Sequence, residues 1–273
     1  MKIMITGGAG FIGSQIGWFL SNRGHEITLL DNMSYGHEDN LTIDGKQIGT
    51  FIKDDIRSED FDKHVVGMDA VIHLAGIAPL PDCRTSPYWA YDNNVGGTLN
   101  VFESCRKNNI SKVIFASTSA VYENCSNMPF VEEIVEKEPD LIYPMTKRNC
   151  EWVCKSYSDN YGLDIVTLRF FNTYGPHQDF KRKHPPLMGY ITKCLLENTN
   201  PTFHSDGHQK RDYIYVDDIS RMVEIILSKD GLSGEVFNVS SGKSFSVRDI
   251  YEVYQEKFDI NFNLYYYIKK KVK

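Results

Sequence analysis

Two side chains that can exchange protons lie one helical turn apart in the middle of the chain. Tyr143 and Lys147 are four residues apart, so on a helix they share one face. A nearby ammonium group stabilises a phenolate, so we expect Lys147 to lower the pKa of Tyr143 from its usual value of about 10. The hydroxyl of Thr118 can hydrogen-bond a reacting oxygen and share its proton with the phenol. The three residues together predict removal of a proton from a sugar hydroxyl while hydride leaves the same carbon.

A glycine-rich turn near the N-terminus predicts a dinucleotide site. The sequence TGGAGFIG follows the apolar run Lys2–Thr6. Gly7 allows the tight turn, Gly10 lets a pyrophosphate approach the backbone, and Gly13 permits close packing of helix on strand. The following helix offers its N–H groups and the positive end of its dipole. A glycine turn alone would be ordinary, but this one lies between a predicted strand and a predicted helix. That context also favours a catalytic role for Tyr143, whose spacing from a lysine could otherwise be chance.

The residue after the second apolar run indicates which dinucleotide binds. Asp31 follows Glu26–Leu30, eighteen residues beyond Gly13. A carboxylate at this point accepts hydrogen bonds from the adenosine ribose and repels a 2′-phosphate. The next five residues contain no Arg or Lys to hold that phosphate. The sequence therefore predicts NAD rather than NADP, against the alternative of a solvated Asp.

Short apolar runs alternate with amphipathic stretches over the first 170 residues. Strands rich in Val, Ile and Leu that are separated by helices imply a parallel sheet covered on both faces. We therefore predict an α/β fold, a doubly wound (Rossmann) NAD-binding domain over residues 1–170. The predicted strands are Lys2–Thr6, Glu26–Leu30, Thr50–Lys53, Ala70–Leu74, Lys112–Ala116 and Ile165–Phe170, and the predicted helices are Phe11–Asn22, Trp89–Lys107 and Met145–Tyr161.

Residues 171–273 are less regular, and three prolines interrupt them. Helical patterns recur at Leu187–Glu197, Asp218–Leu227 and Val247–Phe258. We expect mainly a smaller substrate-binding lobe, apparently shortened, with some strands and helices returning to the first domain. The last nine residues, from Tyr265 onward, fit no amphipathic pattern and are predicted to be a frayed, solvated end.

The composition excludes several classes of protein. Hydrophobic residues make up 41% and aromatic residues 12%, which is too much for a disordered chain. Thirty basic against 36 acidic side chains give a net charge of −6, which argues against a nucleic-acid binder. No apolar run reaches the ~18 residues of a membrane span. The early glycines are unlike a secretory signal, so we predict a cytoplasmic protein. The six cysteines have no zinc-site spacing and His73 stands in no ligand cluster, so we predict reduced thiols and no metal.

The motifs occur in an order that resembles a known family. TGGAGFIG, LDNMSYG, DDIR, HLAG, NNVGGT, STSAVY, YPMTK, RFFNTYGP and RDYIYVDDI follow one another from Met1 to about Asp249. This series resembles the extended short-chain dehydrogenases/reductases, and most closely the NAD-dependent nucleotide-sugar epimerase/dehydratase family with its UDP-glucose 4-epimerase-like members. The resemblance implies epimerisation of a nucleotide sugar, most simply a UDP-hexose, at C4 through a 4-keto intermediate.

The resemblance also implies roles for individual residues. Thr118, Tyr143 and Lys147 match the family's catalytic residues, and Thr118, Asn172 and Arg211 match its substrate contacts. Alternatives remain for two of them, because Asn172 could be a turn-forming residue and Arg211 could form a surface ion pair with Asp212. The cofactor-binding residues implied are Gly7, Gly10, Phe11, Ile12, Gly13, Asp31, Asn32, Asp55, Ile56, Leu74, Ala75, Gly76, Asn94, Tyr143 and Lys147.

Three departures from the family pattern restrict the chemistry. Relatives that dehydrate or decarboxylate carry an acid where this chain has Ser119 and Ala120, and neither residue can act as acid or base at neutral pH. Glu123 stands where the family usually has Gly. The family also continues for several dozen residues beyond the segment that ends at Ile250, so this chain either is truncated or closes its sugar pocket differently.

Three hypotheses follow. The leading one is an NAD-retaining nucleotide-sugar 4-epimerase. A second is a 4-keto reductase or an epimerase of another carbon, and net consumption of NADH would favour the reductase. A third is an NAD-binding, catalytically impaired family member that has lost sugar-nucleotide binding. The resemblance further implies a homodimer that pairs through the helices Trp89–Lys107 and Met145–Tyr161, and no membrane or nucleic-acid partner.

Overall fold

The computed structural model describes residues 1–204 and 206–258 and the backbone of 265–267. The chain divides into two compact units. The first contains Met1–Phe171 and Tyr215–Val239, and the second contains Asn172–Ile214 and the described residues after Val239. The segment that follows Ile214 thus returns to the first unit.

The strands and helices of both units are numbered together in chain order. In chain order the strands are β1 (Lys2–Thr6), β2 (Glu26–Asp31), β3 (Thr42–Ile43), β4 (Lys46–Gln47), β5 (Thr50–Lys53), β6 (Ala70–His73), β7 (Lys112–Thr118), β8 (Ile165–Phe170), β9 (Asn172–Tyr174), β10 (Thr202–His204), β11 (Lys210–Tyr215), β12 (Val236–Val239), β13 (Ser244–Ser246) and β14 (Tyr265–Tyr267). The α-helices are α1 (Phe11–Ser21), α2 (Phe61–Val65), α3 (Leu80–Thr85), α4 (Pro87–Tyr91), α5 (Gly97–Lys107), α6 (Ile142–Tyr161), α7 (Leu187–Leu196), α8 (Val216–Leu227) and α9 (Val247–Phe258).

Seven parallel strands form the central sheet in the order β12-β8-β7-β6-β1-β2-β5. Neighbouring residues of a strand point to opposite faces of a sheet, so the contacts of adjacent β1 residues show what covers each face. Met4 packs with Phe61 of α2 and Phe102 of α5, whereas Ile5 lies beside Gly17 of α1. Helices therefore cover both faces, and the predicted doubly wound parallel sheet is confirmed.

The six predicted strands are confirmed to within two residues at either end. The seventh strand, β12, was not predicted, because its sequence VFNV is short and interrupted by a polar residue. It reaches the sheet through α8, which packs on α1. The helical pattern at Asp218–Leu227 therefore belongs to the first unit rather than to the smaller lobe.

The strand order reverses between β1 and β6. After β1 the chain builds β2 and β5 on one side, and it then crosses to β6 on the other side. In open α/β sheets a crevice forms at the carboxyl ends of the strands at such a reversal, and ligands bind there. The glycine turn after β1 and the loop after β6 both lie at this edge.

Two predicted helices differ from the observed ones. The helix expected over Trp89–Lys107 consists of α4, a π-helical turn at Asp92–Gly96, and α5. π-helical turns occur often at functional sites, and this one contains Asn94. Helix α6 begins at Ile142 rather than Met145, which places Tyr143 in its first turn.

The second unit has its own small sheets and core. Strands β9, β11 and β13 form one sheet, in the order β13-β11-β9, and β10 pairs with β14 in parallel. Ile191 of α7 and Tyr251 of α9 share a core with Phe203. The prediction of a frayed end from Tyr265 onward is wrong for Tyr265–Tyr267, because backbone pairing with β10 orders this segment. The predicted solvated lysines at 269–271 lie outside the described residues.

No helix in residues 1–204 or 206–258 combines the length and apolar character that a membrane span requires. The six cysteines are free thiols, five of them buried and Cys125 half-buried.

Candidate active site

The glycine turn lies directly against the loop that follows β6. Gly7 has a φ of +71°, and a Cβ there would be 2.8 Å from the Ala75 nitrogen. A Cβ on Gly13 would be 2.3 Å from the Gly7 oxygen, and one on Gly10 would be 3.1 Å from it. Because glycines occupy three of the four turn positions and Ala9 is buried, the backbone is left open at the start of α1, as a pyrophosphate requires.

Helix α1 begins at this turn with Gly10 as its N-cap. The first N–H groups of a helix have no partner within the helix, and here they belong to Phe11, Ile12 and Gly13. All three residues are uncharged, so nothing in the first turn repels an anion. These residues therefore fit the pyrophosphate of the predicted dinucleotide.

Asp31 lies buried at the end of β2. Its carboxylate accepts hydrogen bonds from the N–H groups of Ala9, at 3.1 Å, and Met33, at 2.8 Å. Burial raises the pKa of Asp31, and the two N–H groups oppose that rise. A Cβ on Gly36 would be 2.9 Å from the Asp31 Oδ1, so this glycine also shapes the pocket. A carboxylate oxygen accepts more than one hydrogen bond, which leaves capacity for the adenosine ribose.

Asn32 and Asp55 form the neighbouring wall. Asn32 Nδ2 donates to Asp55 Oδ2 at 2.8 Å. Arg57 donates to both carboxylate oxygens of Asp55, at 2.9 Å each, and to Asp92 at 2.8 Å. The Arg57 guanidinium holds the pKa of Asp55 well below its usual range. Because these two carboxylates neutralise Arg57, this cation does not create a pocket for a 2′-phosphate. The buried Ile56 side chain packs near Gly97, and its main-chain oxygen accepts a hydrogen bond from Asn100 Nδ2 at 2.8 Å.

The loop Leu74–Gly76 bridges the glycine turn and α6. The N–H of Leu74 donates to the Thr6 oxygen at 3.1 Å. A Cβ on Gly76 would lie 3.3 Å from both the Asn94 Oδ1 and the Lys147 Nζ. The structure therefore brings the predicted residues of this loop, Asn94 and Lys147 to one place.

Thr118 and Tyr143 meet at the carboxyl end of β7. Thr118 ends the strand, and its hydroxyl accepts a hydrogen bond from the Ala120 N–H at 3.1 Å. The nearby Thr118 hydroxyl acts to lower the pKa of Tyr143. Burial has the larger, opposite effect and raises the pKa of Tyr143 to about 12. The expectation that Lys147 brings this pKa below 10 is therefore wrong for the protein chain alone.

Lys147 is buried on the same face of α6. Its Nζ donates to the Ala116 oxygen at 2.8 Å and lies 4.8 Å from the centre of the Phe115 ring. Burial lowers the pKa of Lys147. The ammonium group is thus fixed against β7 rather than bonded to the phenol, which explains why desolvation controls Tyr143.

Asn172 and Arg211 both belong to the second unit, on neighbouring strands. Asn172 Nδ2 donates to the Asp212 main-chain oxygen at 2.8 Å from within β9, so it is a strand residue rather than part of a turn. The exposed Arg211 donates to the Lys210 oxygen at 2.8 Å. The Asp212 carboxylate accepts instead from Ser241, at 2.9 and 3.0 Å. The alternative of an Arg211–Asp212 ion pair therefore finds no support in these contacts.

Sequence reasoning assigned no role to two acidic residues that position α6. Glu123 accepts hydrogen bonds from the N–H groups of Asp140 and Leu141, at 2.9 Å each, immediately before the helix. Glu151 is buried and pairs with Arg169 of β8. A signal for this pair was available, because Arg169 is a charge within the apolar run IVTLRF.

Comparison with known proteins identifies the class of enzyme. The chain matches the NAD dependent epimerase/dehydratase family over residues 3–240, and it belongs to that family. NAD is therefore its cofactor, and the predicted family, fold class and cofactor are confirmed.

Three similar proteins illustrate the match. A putative UDP-glucose 4-epimerase of Methanocaldococcus jannaschii is 33% identical over 254 residues, which cover 92% of this chain and 80% of that protein. A UDP-N-acetylglucosamine 4-epimerase of Methanobrevibacter ruminantium, solved in complex with UDP-N-acetylmuramic acid, is 34% identical with a TM-score of 0.91. The match covers 100% of this chain and 86% of that one. A UDP-glucose 4-epimerase of Thermotoga maritima, solved with UDP-glucose, is 29% identical with a TM-score of 0.91. The match covers 100% of this chain and 87% of that one.

Proposed function

We propose that this protein is an NAD-retaining nucleotide-sugar 4-epimerase that acts on a UDP-linked hexose. The observation that carries the proposal is the grouping of Tyr143 and Lys147 of α6 at the carboxyl end of β7, where Lys147 Nζ donates to the Ala116 oxygen at 2.8 Å and the Thr118 hydroxyl is near enough to Tyr143 to affect its pKa. All three similar proteins described above carry names of UDP-sugar 4-epimerases, and the name of the Methanocaldococcus jannaschii protein includes the word "putative".

We propose that the first unit holds NAD. The turn at Gly7, Gly10 and Gly13 with the amides of Phe11 and Ile12 would bind the pyrophosphate. The remaining cofactor contacts would come from Asp31, Asn32, Asp55, Ile56, Leu74, Ala75, Gly76, Asn94, Tyr143 and Lys147. When bound, NAD supplies a hydride acceptor that can return the hydride to the same carbon.

In this proposal Tyr143 accepts the proton of the sugar C4 hydroxyl and later returns it. Thr118 donates a hydrogen bond to the reacting oxygen and keeps it within reach of the phenol. The first turn of α6 favours negative charge, so the helix stabilises the phenolate of Tyr143. Lys147 adds a fixed positive charge and would bind the nicotinamide ribose.

The residues beside the reacting centre favour epimerisation over dehydration. Ser119 and Ala120 open the short 3₁₀ helix that follows β7. Neither side chain ionises at neutral pH, so this segment lacks the acid–base pair needed to eliminate water from the sugar. The 4-keto sugar would therefore be reduced again rather than consumed.

We propose that the second unit binds the nucleotide part of the substrate. Asn172 and the exposed Arg211 lie on adjacent strands there. A guanidinium group can contact two phosphate oxygens at once, which suits a diphosphate.

An isomerisation assay tests the proposal. Purified protein is incubated with UDP-glucose, UDP-galactose and their N-acetylated forms, and the 4-epimers are separated by chromatography. We expect conversion to the 4-epimer without net change in NADH absorbance. Net oxidation of added NADH would instead indicate a keto reductase, and NAD release on denaturation without any conversion would indicate an inactive NAD-binding protein.

We also propose a homodimer formed by α4, α5 and α6. Helices α4 and α5 both pack against α6, and large apolar side chains are exposed on these three helices. Tyr88 is 84% exposed, Trp152 60%, and Leu99 39%. Burying such groups at an interface is favourable, since each apolar side chain contributes about 1.5–3 kcal/mol when it leaves water.

The dimer makes a direct prediction. Trp152→Glu places a charge in the proposed interface, so light scattering should show a monomer where the wild type shows a dimer. Arg221→Glu changes an exposed residue of α8, a helix that packs on α1, and should leave the dimer intact. A wild-type monomer at micromolar concentration would refute the proposed assembly.

A further inference from the structure

His73 lies completely buried at the end of β6, directly before the loop Leu74–Gly76. Its Nδ1 is 2.7 Å from the Thr6 Oγ1, and its Nε2 is 2.9 Å from the Thr98 Oγ1. The rings of Phe102 and Phe115 lie against it, with centres 6.0 and 5.7 Å away. Both ring nitrogens therefore face hydroxyl groups in an otherwise apolar site.

The partners of Thr98 determine where the imidazole carries its hydrogen. Thr98 Oγ1 lies 2.5 Å from the main-chain oxygen of Asn94, which can only accept. The single hydroxyl hydrogen of Thr98 is donated there, so the same oxygen must accept from His73. The ring hydrogen is therefore on Nε2.

The other side of the ring follows from this assignment. A neutral imidazole with hydrogen on Nε2 accepts at Nδ1, so Thr6 donates its hydroxyl hydrogen to His73. Thr6 Oγ1 then accepts from the N–H of Ala75 at 3.3 Å. Burial lowers the pKa of His73 to about 3, which agrees with a neutral ring.

The charges around His73 also favour the neutral form. Strand β1 presents Thr6, β7 presents Phe115, and α5 presents Thr98 and Phe102. From α6 the positive charge of Lys147 lowers the pKa of His73 further. A proton on Nδ1 would displace the hydrogen that Thr6 donates and would reverse the direction of the Thr6–His73 hydrogen bond.

Asn94 extends the network to the catalytic helix. Its Oδ1 accepts from the Ile77 N–H at 2.7 Å, and its Nδ2 donates to the Ile77 oxygen at 3.1 Å. The same Nδ2 donates to Thr146 Oγ1 at 2.9 Å, and Thr146 donates to the Tyr143 main-chain oxygen at 2.7 Å. Both Nδ2 hydrogens are thus used within the protein, so Asn94 serves to position the loop and α6.

We propose that His73, held as the neutral Nε2–H tautomer, is a positioning residue that fixes the Leu74–Ile77 loop relative to the first turn of α6. Buried and half-buried hydrogen bonds run from the Ala75 amide through Thr6, His73 and Thr98 to the Asn94 main-chain oxygen. The Asn94 side chain then donates to Thr146, which donates to the Tyr143 carbonyl. The effect of His73 on catalysis rests on the proposed function, whereas its tautomer and its effect on the loop do not.

The tautomer is measured by nitrogen NMR of the full-length protein with ¹⁵N-labelled histidine. The chain has eight histidines, and His73→Phe identifies the signal of His73 by its disappearance. We expect a single Nε2–H form whose shifts stay constant between about pH 5 and pH 8, where an ordinary histidine titrates. An Nδ1–H form, exchange between tautomers, or titration in this range would overturn the proposal.

Positioning is measured with three variants. His73→Phe keeps a flat ring but removes both hydrogen bonds, and His73→Gln restores a donor toward Thr98. Phe102→Leu disturbs the same core without removing a hydrogen bond of the network. In His73→Phe we expect the amide hydrogen exchange rates of Ala75 and Ile77 to rise at least about tenfold more than the loss of unfolding free energy explains. The rise should be smaller in His73→Gln. In Phe102→Leu the exchange rates should rise only as far as the loss of unfolding free energy explains.

The same variants separate positioning from catalysis. In an active enzyme, His73→Phe should lower kcat about 10- to 100-fold, because a small displacement of reacting groups has effects of this size, while KM changes less. If Phe102→Leu, at equal unfolding free energy, matches His73→Phe in both exchange and kcat, His73 is merely structural and the proposal is wrong. If the wild type does not epimerise UDP sugars, the proposed function fails, and the NMR and exchange results still decide the role of His73.

Discussion

At the level of single side chains, burial outweighs charge around Tyr143. The sequence places a lysine four residues away, yet the Lys147 ammonium donates to the Ala116 oxygen. Burial therefore raises the pKa of Tyr143 to about 12, although the nearby Thr118 hydroxyl acts to lower it. A base that must act near neutral pH needs a further positive charge beside it, and a bound cationic nicotinamide would supply one.

This balance predicts that the cofactor changes the ionisation of Tyr143. In NAD-free protein the phenol should stay protonated up to pH ~10, whereas in NAD-loaded protein it should ionise at lower pH. The phenolate absorbance of wild type minus Tyr143→Phe, followed against pH with and without NAD, measures this. Identical titrations in the two states would show that the cofactor does not activate the phenol.

Tyr143→Phe itself should keep NAD but lower kcat by about 10²- to 10⁴-fold, the usual contribution of a general acid–base group. Tyr157→Phe is a matched control, because this hydroxyl lies on the same helix and bonds Glu103 at 3.4 Å. Epimerisation rate and NAD content, measured on both variants, provide the comparison. Near-normal turnover by Tyr143→Phe would exclude Tyr143 as the base.

Among the elements, helix α6 depends on a cap that comes from outside it. Leu141 is its N-cap residue, and its side chain cannot accept a hydrogen bond. The Glu123 carboxylate accepts from the N–H groups of Asp140 and Leu141 instead. This gives a physical role to the residue that departs from the family's usual Gly, and it places a negative charge at the positive end of the helix dipole.

Removal of this cap should be measurable. Glu123→Ala should lower the free energy of unfolding by about 0.5–2 kcal/mol, as loss of a helix cap does. Glu123→Gln keeps an acceptor and should cost less. Glu133→Ala, an exposed acid in the same loop, serves as control. Denaturant unfolding compares the three, and equal losses for Glu123→Ala and Glu133→Ala would contradict the capping role.

For the first unit as a whole, a buried ion pair joins α6 to the sheet. Arg169 of β8 donates to Glu151 at 2.9 and 2.8 Å, and Ser117 of β7 donates to the same carboxylate at 2.5 Å. Arg148 adds a hydrogen bond at 3.0 Å. Glu151 lies one helical turn after Lys147, so this contact fixes the helix that carries two of the predicted catalytic residues.

The ion pair predicts a large asymmetry between single and double variants. Glu151→Gln leaves Arg169 buried without its counter-charge and should cost about 3–5 kcal/mol of unfolding free energy. Changing both residues to Met removes both charges and should cost less. Glu103→Gln, in an exposed pair with Arg106, should cost at most about 1 kcal/mol. Denaturant titrations give these values, and a double variant worse than Glu151→Gln would refute the argument.

Local sequence patterns were sufficient to predict those elements whose structure depends on neighbouring residues in the chain. The central strands and the glycine turn were predicted because apolar runs and glycine spacing are short-range features. The sequence predicted that some strands and helices after residue 170 return to the first domain, but it did not identify β12 and α8 as those elements, because their placement depends on packing between distant segments. The proposed roles of Asn172 and Arg211 rest on resemblance and remain predictions.

The sequence by itself determined the α/β class, the dinucleotide turn and the spacing of Tyr143 and Lys147, because hydrophobic periodicity and side-chain chemistry follow directly from the order of the residues. Only the tertiary structure decided the ionisation of Tyr143, the cap supplied by Glu123 and the hydrogen-bond direction through His73. Those properties depend on burial and on partners that are distant in sequence. Desolvation and hydrogen-bond geometry exist only once the strands and helices have packed.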